Sequence, residues 1–275
     1  MTNFKQQVKK ILSPFLYRGK RAAVIKEKML EWIKQFNDGS IPKLSAASFD
    51  IFTYHGEDGI IHYLLRHLKD VPPVFVDIGA GDCIKSNCAT LLTHFQWKGL
   101  FIDSDAGQLA IGKNFFKQQV ENKHVRMIQQ EVRPDNINAL LEAGSVKGQI
   151  GLLSIDIDGN DYWIWKAIES IQPRIVVIEA KVEFGLHDIV VPYGKQNHHL
   201  SDKMYNGASV EALRKLGIGK GYKLVGANKQ GYNLFFVRED EQLPAVSTED
   251  VLDDPETKSS FYPESFFTSH TFAQL

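Results

Sequence analysis

From about residue 57 the chain alternates between short continuous apolar runs and stretches whose apolar residues recur every three or four positions. A continuous short run suits a strand buried on both faces, and a three-to-four spacing suits a helix with one buried face. Strands are predicted on this basis over 74–78, 99–103, 125–129, 150–156 and 174–179, with helices over 57–69, 85–94, 106–119, 135–143, 162–170 and 208–219. Pro72-Pro73 stops the first of these helices, and Pro134 lies at the first turn of a later one. Two closing strands, 222–226 and 232–237, flank a short link containing Asn228-Lys229-Gln230-Gly231, which predicts an antiparallel hairpin. The whole reads as an α/β chain: a doubly wound, Rossmann-like seven-stranded sheet, mostly parallel, closed by a hairpin.

The flanks differ in pattern. Residues 1–45 are expected to form an N-terminal helical extension, with a helix over 4–36 broken at Ser13-Pro14. Val24, Ile25, Met29, Leu30, Ile33 and Phe36 give that helix a sticky face, which makes a homodimer a reasonable expectation. The α/β domain is expected over 46–240 and a loosely packed tail over 241–275, with Phe261, Tyr262, Phe266, Phe267 and Phe272 able to dock. Residues 183–207 form an insertion rich in His, Tyr, Pro and Gly, and long loops of this kind are usually functional or disordered.

Composition changes this picture little. The 275 residues are 43% apolar and 24% charged with a net charge of -1, which suits an ordinary globular core. The charge is unevenly spread: nine Lys and Arg against Glu27 and Glu31 in residues 1–34, and eight acids with no base in 239–256. The basic start allows weak contact with a membrane surface, although two solvated faces are the plainer reading. Cys83 and Cys88 lack zinc spacing and suggest a reducing compartment. No signal-peptide pattern and no run of about 18 apolar residues is present, so no transmembrane segment and a cytoplasmic location are expected.

The strongest chemical signal is Phe75-Val76-Asp77-Ile78-Gly79-Ala80-Gly81-Asp82, a buried strand running into a Gly-x-Gly turn. Ligands of open α/β sheets bind at the carboxyl ends of strands, and glycines let backbone approach them. Asp103 ends the next strand, where an acid can accept both hydroxyls of a ribose; Ser104 follows it. Gln130 and Glu131, past the third strand, are expected near an adenine. A dinucleotide and S-adenosylmethionine both fit this much. Ile84 stands where a dinucleotide turn has its third glycine, and Asp77 and Asp82 would repel a pyrophosphate but attract an ammonium. Asp77 as a mere cap for local amides is the structural alternative.

A second signal is Leu153-Ser154-Ile155-Asp156-Ile157-Asp158-Gly159-Asn160-Asp161-Tyr162. Asp156 and Asp158 share parity and face one side if the strand continues. They could take a proton from a hydroxyl or bind a hard cation such as Mg²⁺, with Glu179 at the next strand end as a further ligand. Asp161 has the place of a helix cap, and Glu179 could instead pair with Lys181. His187, His198 and His199, with Tyr193 and Tyr205, could line an acceptor pocket and supply a base. The 52–59 segment suits a tight turn into a helix beside the amino-acid end of a cofactor.

Residues 76–82, 99–105 and 154–162 together resemble FkbM-type methyltransferases of the class I, S-adenosylmethionine-dependent group, as do His55-Gly56-Glu57-Asp58-Gly59 and Tyr205-Asn206-Gly207-Ala208-Ser209. The resemblance covers about 50–238 and implies O-methylation of a sugar, polysaccharide unit or polyketide hydroxyl, with Asp156 and Asp158 in the family's Asp-x-acid-Gly pattern. More distantly the chain resembles Mg²⁺-dependent sugar O-methyltransferases of the macrocin type, in which Asp156 and Glu179 would hold the metal. Lys181 stands where that group has a second Asp or Asn, and could supply the cation's charge instead. The expected protein is therefore an enzyme that uses S-adenosylmethionine, and Mg²⁺ if the metal pattern holds, to methylate a small-molecule or glycan hydroxyl. The rivals are an NAD(P)-dependent oxidoreductase and a non-catalytic cofactor-binding protein. Nucleic acid is not an expected partner, because no Asn/Asp-Pro-Pro-Tyr segment follows the fourth strand and the core is not basic.

Overall fold

The computed structural model describes residues 43–195 and 205–275. The expected helix over 4–36, its dimer face, His198 and His199 lie outside the described residues.

The apolar run Val74–Ile78 forms β1 at the middle of the sheet, paired in parallel with β2 (Lys98–Asp103) on one side and β4 (Gly148–Ile155) on the other. β3 (Val125–Gln129) extends the β2 side, and β5 (Ile171–Glu179) the β4 side. The hairpin strands β6 (Tyr222–Ala227) and β7 (Asn233–Arg238) pair antiparallel, and β7 inserts beside β5. The order β3-β2-β1-β4-β5-β7-β6 is the Rossmann-like sheet typical of methyltransferases. The chain winds outward from β1 and then crosses back to β4, so a crevice opens between the carboxyl ends of these two strands.

Helices flank this sheet: α1 (Glu57–His67), α2 (Ala89–His94), α3 (Ala106–Phe115), α4 (Lys117–Glu121), α5 (Ile137–Ala143), α6 (Asp161–Ala167) and α7 (Val210–Gly219). α2 starts four residues later than the pattern predicts, because polar side chains capture its leading turn. Asp82 accepts hydrogen bonds from the amides of Ile84 (2.9 Å) and Lys85 (3.1 Å), and Ser86 Oγ accepts one from Cys88 N at 2.9 Å. The helix predicted over 106–119 divides at Phe116, whose ring is buried against Phe101 and Phe115.

The tail keeps most of its side chains exposed or half-buried, yet it is folded and its rings dock. It forms α8 (Thr248–Val251), α9 (Pro255–Ser259) and α10 (Glu264–Ser269) within one compact unit, Lys43–Leu275. Backbone bonds from Val246 to Leu224, Tyr262 to Glu183 and Ala273 to Val190, all 2.8–2.9 Å, fasten it. Phe266, Phe267 and Phe272 gather around the fully buried Phe184, with centroids 5.7–6.3 Å from its ring. The aromatic spacing thus serves docking, since rings left in water would forfeit their burial energy. Among the described residues no helix is long and apolar enough to cross a membrane.

Trp165 of α6 is 1% exposed and packs on Phe236 (4.9 Å) and Tyr222 (5.9 Å), joining the helix layer to the closing hairpin. Trp165→Ala should cost about 3–5 kcal/mol of stability, read as a lower midpoint in urea unfolding. A midpoint unchanged from the parent would mean that this contact does not hold the hairpin.

Candidate functional site

The segment before α1 folds over the carboxyl end of β1 because Asp58, 1% exposed, gathers its backbone. One oxygen of Asp58 accepts from the amides of Ile51, Phe52 and Thr53 at 2.7–2.9 Å and from the Thr53 hydroxyl at 3.0 Å; the other accepts from the Thr90 hydroxyl. Glu57, 2% exposed, accepts from Asn228 (2.8 Å), Asn233 (3.1 Å) and the His55 amide (3.0 Å), which ties the segment to the hairpin. Thr53, Tyr54, His55 and Glu57 thereby become one wall of a cavity of about 250 Å³. Asp77, Gly79 and Ala80 from the β1 turn, Lys85, Ser86 and Asn87 after it, Ser154 and Asp156 from β4, and Asn233 complete the lining. The 52–59 segment makes the tight turn into a helix that the sequence predicts, with Gly56 in a left-handed conformation before Glu57. Lys85, Ser86, Asn87, Asn228 and Asn233 were missed; the only signals were a Ser-Asn pair in a stretch patterned as helix and a lone Asn opening an apolar strand.

The turn itself is shaped by contact. Gly79 has φ +84°, and a Cβ there would overlap the Asp156 carbonyl oxygen, so no other residue fits. At Gly81 a Cβ would meet nothing within 4 Å, which marks the side open to a ligand. Asp103 accepts from the Gly81 amide at 2.7 Å and from the Asp105 amide at 2.8 Å; it braces the turn and retains lone pairs for a further donor. Gln130 N donates to the Asp103 carbonyl at 2.8 Å, so the end of β3 lies beside the end of β2. Ser104, Gln130 and Glu131 are exposed there, and they, like Gly81, Asp82 and Asp103, lie outside the lining of the 250 Å³ cavity. Asp82 faces its own turn.

Asp77 is 3% exposed and accepts from the Ser86 hydroxyl, with Ser154 as a second hydroxyl partner. It is not a cap for backbone amides, and among the described residues no ion pair involves it. Burial pushes its carboxyl up to about 6, against the two hydroxyls and with a small addition from Asp103.

Asp156, Asp158 and Glu179 come together, with carboxylate oxygens within 4.8 Å of one another. The means differs from the parity expectation. β4 ends at Ile155, Asp158 takes a left-handed conformation (φ +58°), and a tight loop aims the acids. Asp161, 1% exposed, holds that loop by accepting from Ile157 N (2.9 Å) and Gly159 N (2.8 Å), rather than capping α6. Asp156 keeps solvent-facing surface, yet enough protein surrounds its carboxyl that burial, followed by the charge of Asp161, raises it well above the carboxylate range. Glu179 is raised likewise by burial and then by Asp161, Asp156 and Asp158, with Lys181 opposing. Such a cluster holds a proton or attracts a cation near neutral pH. Lys181 does not pair with Glu179; its Nζ lies 3.8 Å from Glu183.

The insertion residues go elsewhere. His187 stacks on Phe267 (3.9 Å) with Nε2 3.4 Å from Glu264, in the wall of a second cavity. Tyr205 donates to the Thr271 carbonyl and Tyr193 is exposed. Cys83 and Cys88 are buried free thiols pushed up by burial, which leaves them unreactive.

No protein-family model matches the sequence, and no curated protein matches it. Among solved structures the chain is similar to an O-methyltransferase family protein from Burkholderia thailandensis, at 10% identity and a TM-score of 0.44 over 68% of this chain and 59% of that one. It is also similar to an S-adenosylmethionine-dependent methyltransferase from Clostridium acetobutylicum, at 12% identity and a TM-score of 0.41 over 77% of this chain and 97% of that one. A third is the pyocyanin biosynthetic protein PhzM, at 14% identity and a TM-score of 0.38 over 65% of this chain and 54% of that one. The chain spans little more than half the length of PhzM and of the Burkholderia protein. Its chemistry rests on its own residues.

Asp77 has a consequence for stability without ligand. Its folded value is near 6 and its ordinary value 3.8, so the folded protein holds the proton more tightly and loses stability as pH rises between them. The ionised carboxylate at pH 8 costs roughly 3 kcal/mol relative to pH below 4. Asp77→Asn should therefore melt higher than the parent at pH 8, with the gap closing toward pH 4. Equal melting temperatures at pH 8 would show that the parent carboxylate bears no such cost.

Proposed function

We propose that the chain is an S-adenosylmethionine-dependent O-methyltransferase acting on a hydroxyl of a small molecule, sugar or natural product. The observation that carries this reading is the pairing of opposite charges in one cavity. Asp77 is a buried carboxylate with no cation, and Lys85 lies in the same lining with its Nζ 5.0 Å from the Tyr54 ring. An acid and a base at one end, and Asp103 beside the open Gly81, suit a zwitterionic amino-acid head joined to a ribose. A pyrophosphate suits the lining poorly, since Asp77, Glu57 and Asp156 would all repel it.

On this reading Asp77, oriented by Ser86 and Ser154, accepts from the ammonium. Lys85 pairs with the carboxylate. Asp103 accepts from the ribose hydroxyls while holding Gly81, and the exposed edge at Ser104, Gln130 and Glu131 lies toward the adenine. When bound, the cofactor supplies a methyl carbon activated by sulfonium. Asp156 takes the proton of the attacking hydroxyl, and its neighbours keep it basic enough to do so near neutral pH. The rest is alignment of acceptor and methyl group. The oxygen set of Asp156, Asp158 and Glu179 also fits a hard divalent cation, which would lower the acceptor's pKa; Lys181 provides a nearby positive charge in either case.

Calorimetry with S-adenosylhomocysteine and 5′-methylthioadenosine tests the reading. Asp103→Ala should weaken both by about 30-fold, or roughly 2 kcal/mol. Lys85→Met should weaken the first by about tenfold and leave the second, which lacks the amino-acid head, unchanged. Tight NADH binding with neither adenosyl compound bound would favour the oxidoreductase, and cofactor binding without transfer to any acceptor would favour a non-catalytic role. Mg²⁺ titrated alone should bind the parent and lose at least tenfold in Asp158→Asn with Glu179→Gln if the acids form a metal site; no heat with the parent excludes Mg²⁺.

A further inference from the structure

A second cavity, of about 340 Å³, lies between the chain just after β5 and the docked tail. Its walls are chiefly aromatic: Phe184, Phe261, Tyr262 and Phe267, with Glu183, His187 and Glu264 as polar members. Its volume falls within the range of small-molecule sites, and rings arranged around a concavity favour a flat apolar occupant. Two of the polar members face each other, with His187 Nε2 3.4 Å from Glu264. Glu183 lies 3.8 Å from the Lys181 ammonium, and the His187 ring stacks on Phe267 at 3.9 Å. A polyhydroxylated ring would find few free partners there and would leave its hydroxyls desolvated. Leu186 at this cavity is 56% exposed, an apolar side chain standing in water beside an apolar recess.

Glu183 of this cavity follows Glu179 of the carboxylate cluster by four residues. Lys181 bridges them: it pairs with Glu183 in the cavity wall, and it is close enough to Glu179 to oppose the raising of that carboxyl. The wall facing Glu183 is made by the tail, whose Tyr262 amide donates to the Glu183 carbonyl at 2.8 Å. We propose that this recess seats the ring system of the acceptor, an aromatic or fused-ring hydroxy compound, and presents its hydroxyl toward Asp156 across Lys181. The inference rests on the methyltransferase reading and narrows its acceptor from hydroxyl compounds in general to those with a flat apolar body. It also gives the tail a binding role that its aromatic content alone would not.

Binding of naphthol and of a methyl glucoside to the full chain, each measured with and without S-adenosylhomocysteine, tests it. Naphthol should bind at least tenfold more tightly than the glucoside. Leu186→Glu, at an exposed position that leaves the core intact, should weaken naphthol about tenfold, and Phe267→Ala should act in the same direction. S-adenosylhomocysteine affinity should not change in either variant. Naphthol that binds no better than the glucoside, or that binds Leu186→Glu as well as the parent, overturns the proposal. Leu186-sensitive naphthol binding by a chain that takes no S-adenosylhomocysteine would keep the aromatic site and sink the methyltransferase reading.

Discussion

Acidic side chains gathered at one sheet edge, two of them fully buried, dominate this structure. Asp77, Asp156, Asp161 and Glu179 converge on the carboxyl edge of one sheet, and burial is the first cause of the upward shift in each. Lys181 opposes this shift at Glu179. Holding such a group ionised is costly, and the cost is offset by an apolar sheet whose central strand β1 and hairpin strand β7 are buried along most of their length. A ligand that brings positive charge to this edge recovers part of it. The site is therefore a store of unfavourable electrostatics waiting for a cation, whether ammonium, sulfonium or metal.

Local hydrogen bonds hold these groups in place. Asp58 gathers three amides to lay the 51–55 backbone over the cavity, Asp103 clamps Gly81, and Asp161 clamps the loop bearing Asp156 and Asp158. Each of these acids accepts from backbone amides and fixes an element at the carboxyl edge of the sheet, and Asp103 keeps lone pairs for a further donor. Division of labour between bracing acids and free acids is what turns a cluster of like charges into a shaped site. Gly79 completes it, since only a residue without Cβ lets β1 pass so near the Asp156 carbonyl.

The sheet was legible because strands buried on both faces must be continuously apolar, and the placing of Gly79, Gly81, Asp103, Asp156 and Glu179 at strand ends was legible from where those apolar runs stop. What lay hidden depends on contacts between distant parts of the chain. Ser86 looks helical by spacing, but Asp77 and the Cys88 amide claim its hydroxyl. Asn228 and Asn233 reach the site only because the hairpin returns beside β5 and meets Glu57. The tail read as loose because its rings have no period, and it packs because Phe184 offers them one buried focus. His187, expected to line an acceptor pocket, lines the aromatic recess beside the docked tail.

The most direct test of the central claim is proton release on binding. At pH 6 Asp77 should be about half protonated without ligand. Calorimetric titration of S-adenosylhomocysteine in two buffers of different ionisation enthalpy reads the protons exchanged. Net release of up to ~0.5 proton by the parent, lost in an Asp77→Asn variant, is the predicted result, because the ammonium ionises the buried carboxyl. Binding with no release, or with the same release in the variant, would contradict it.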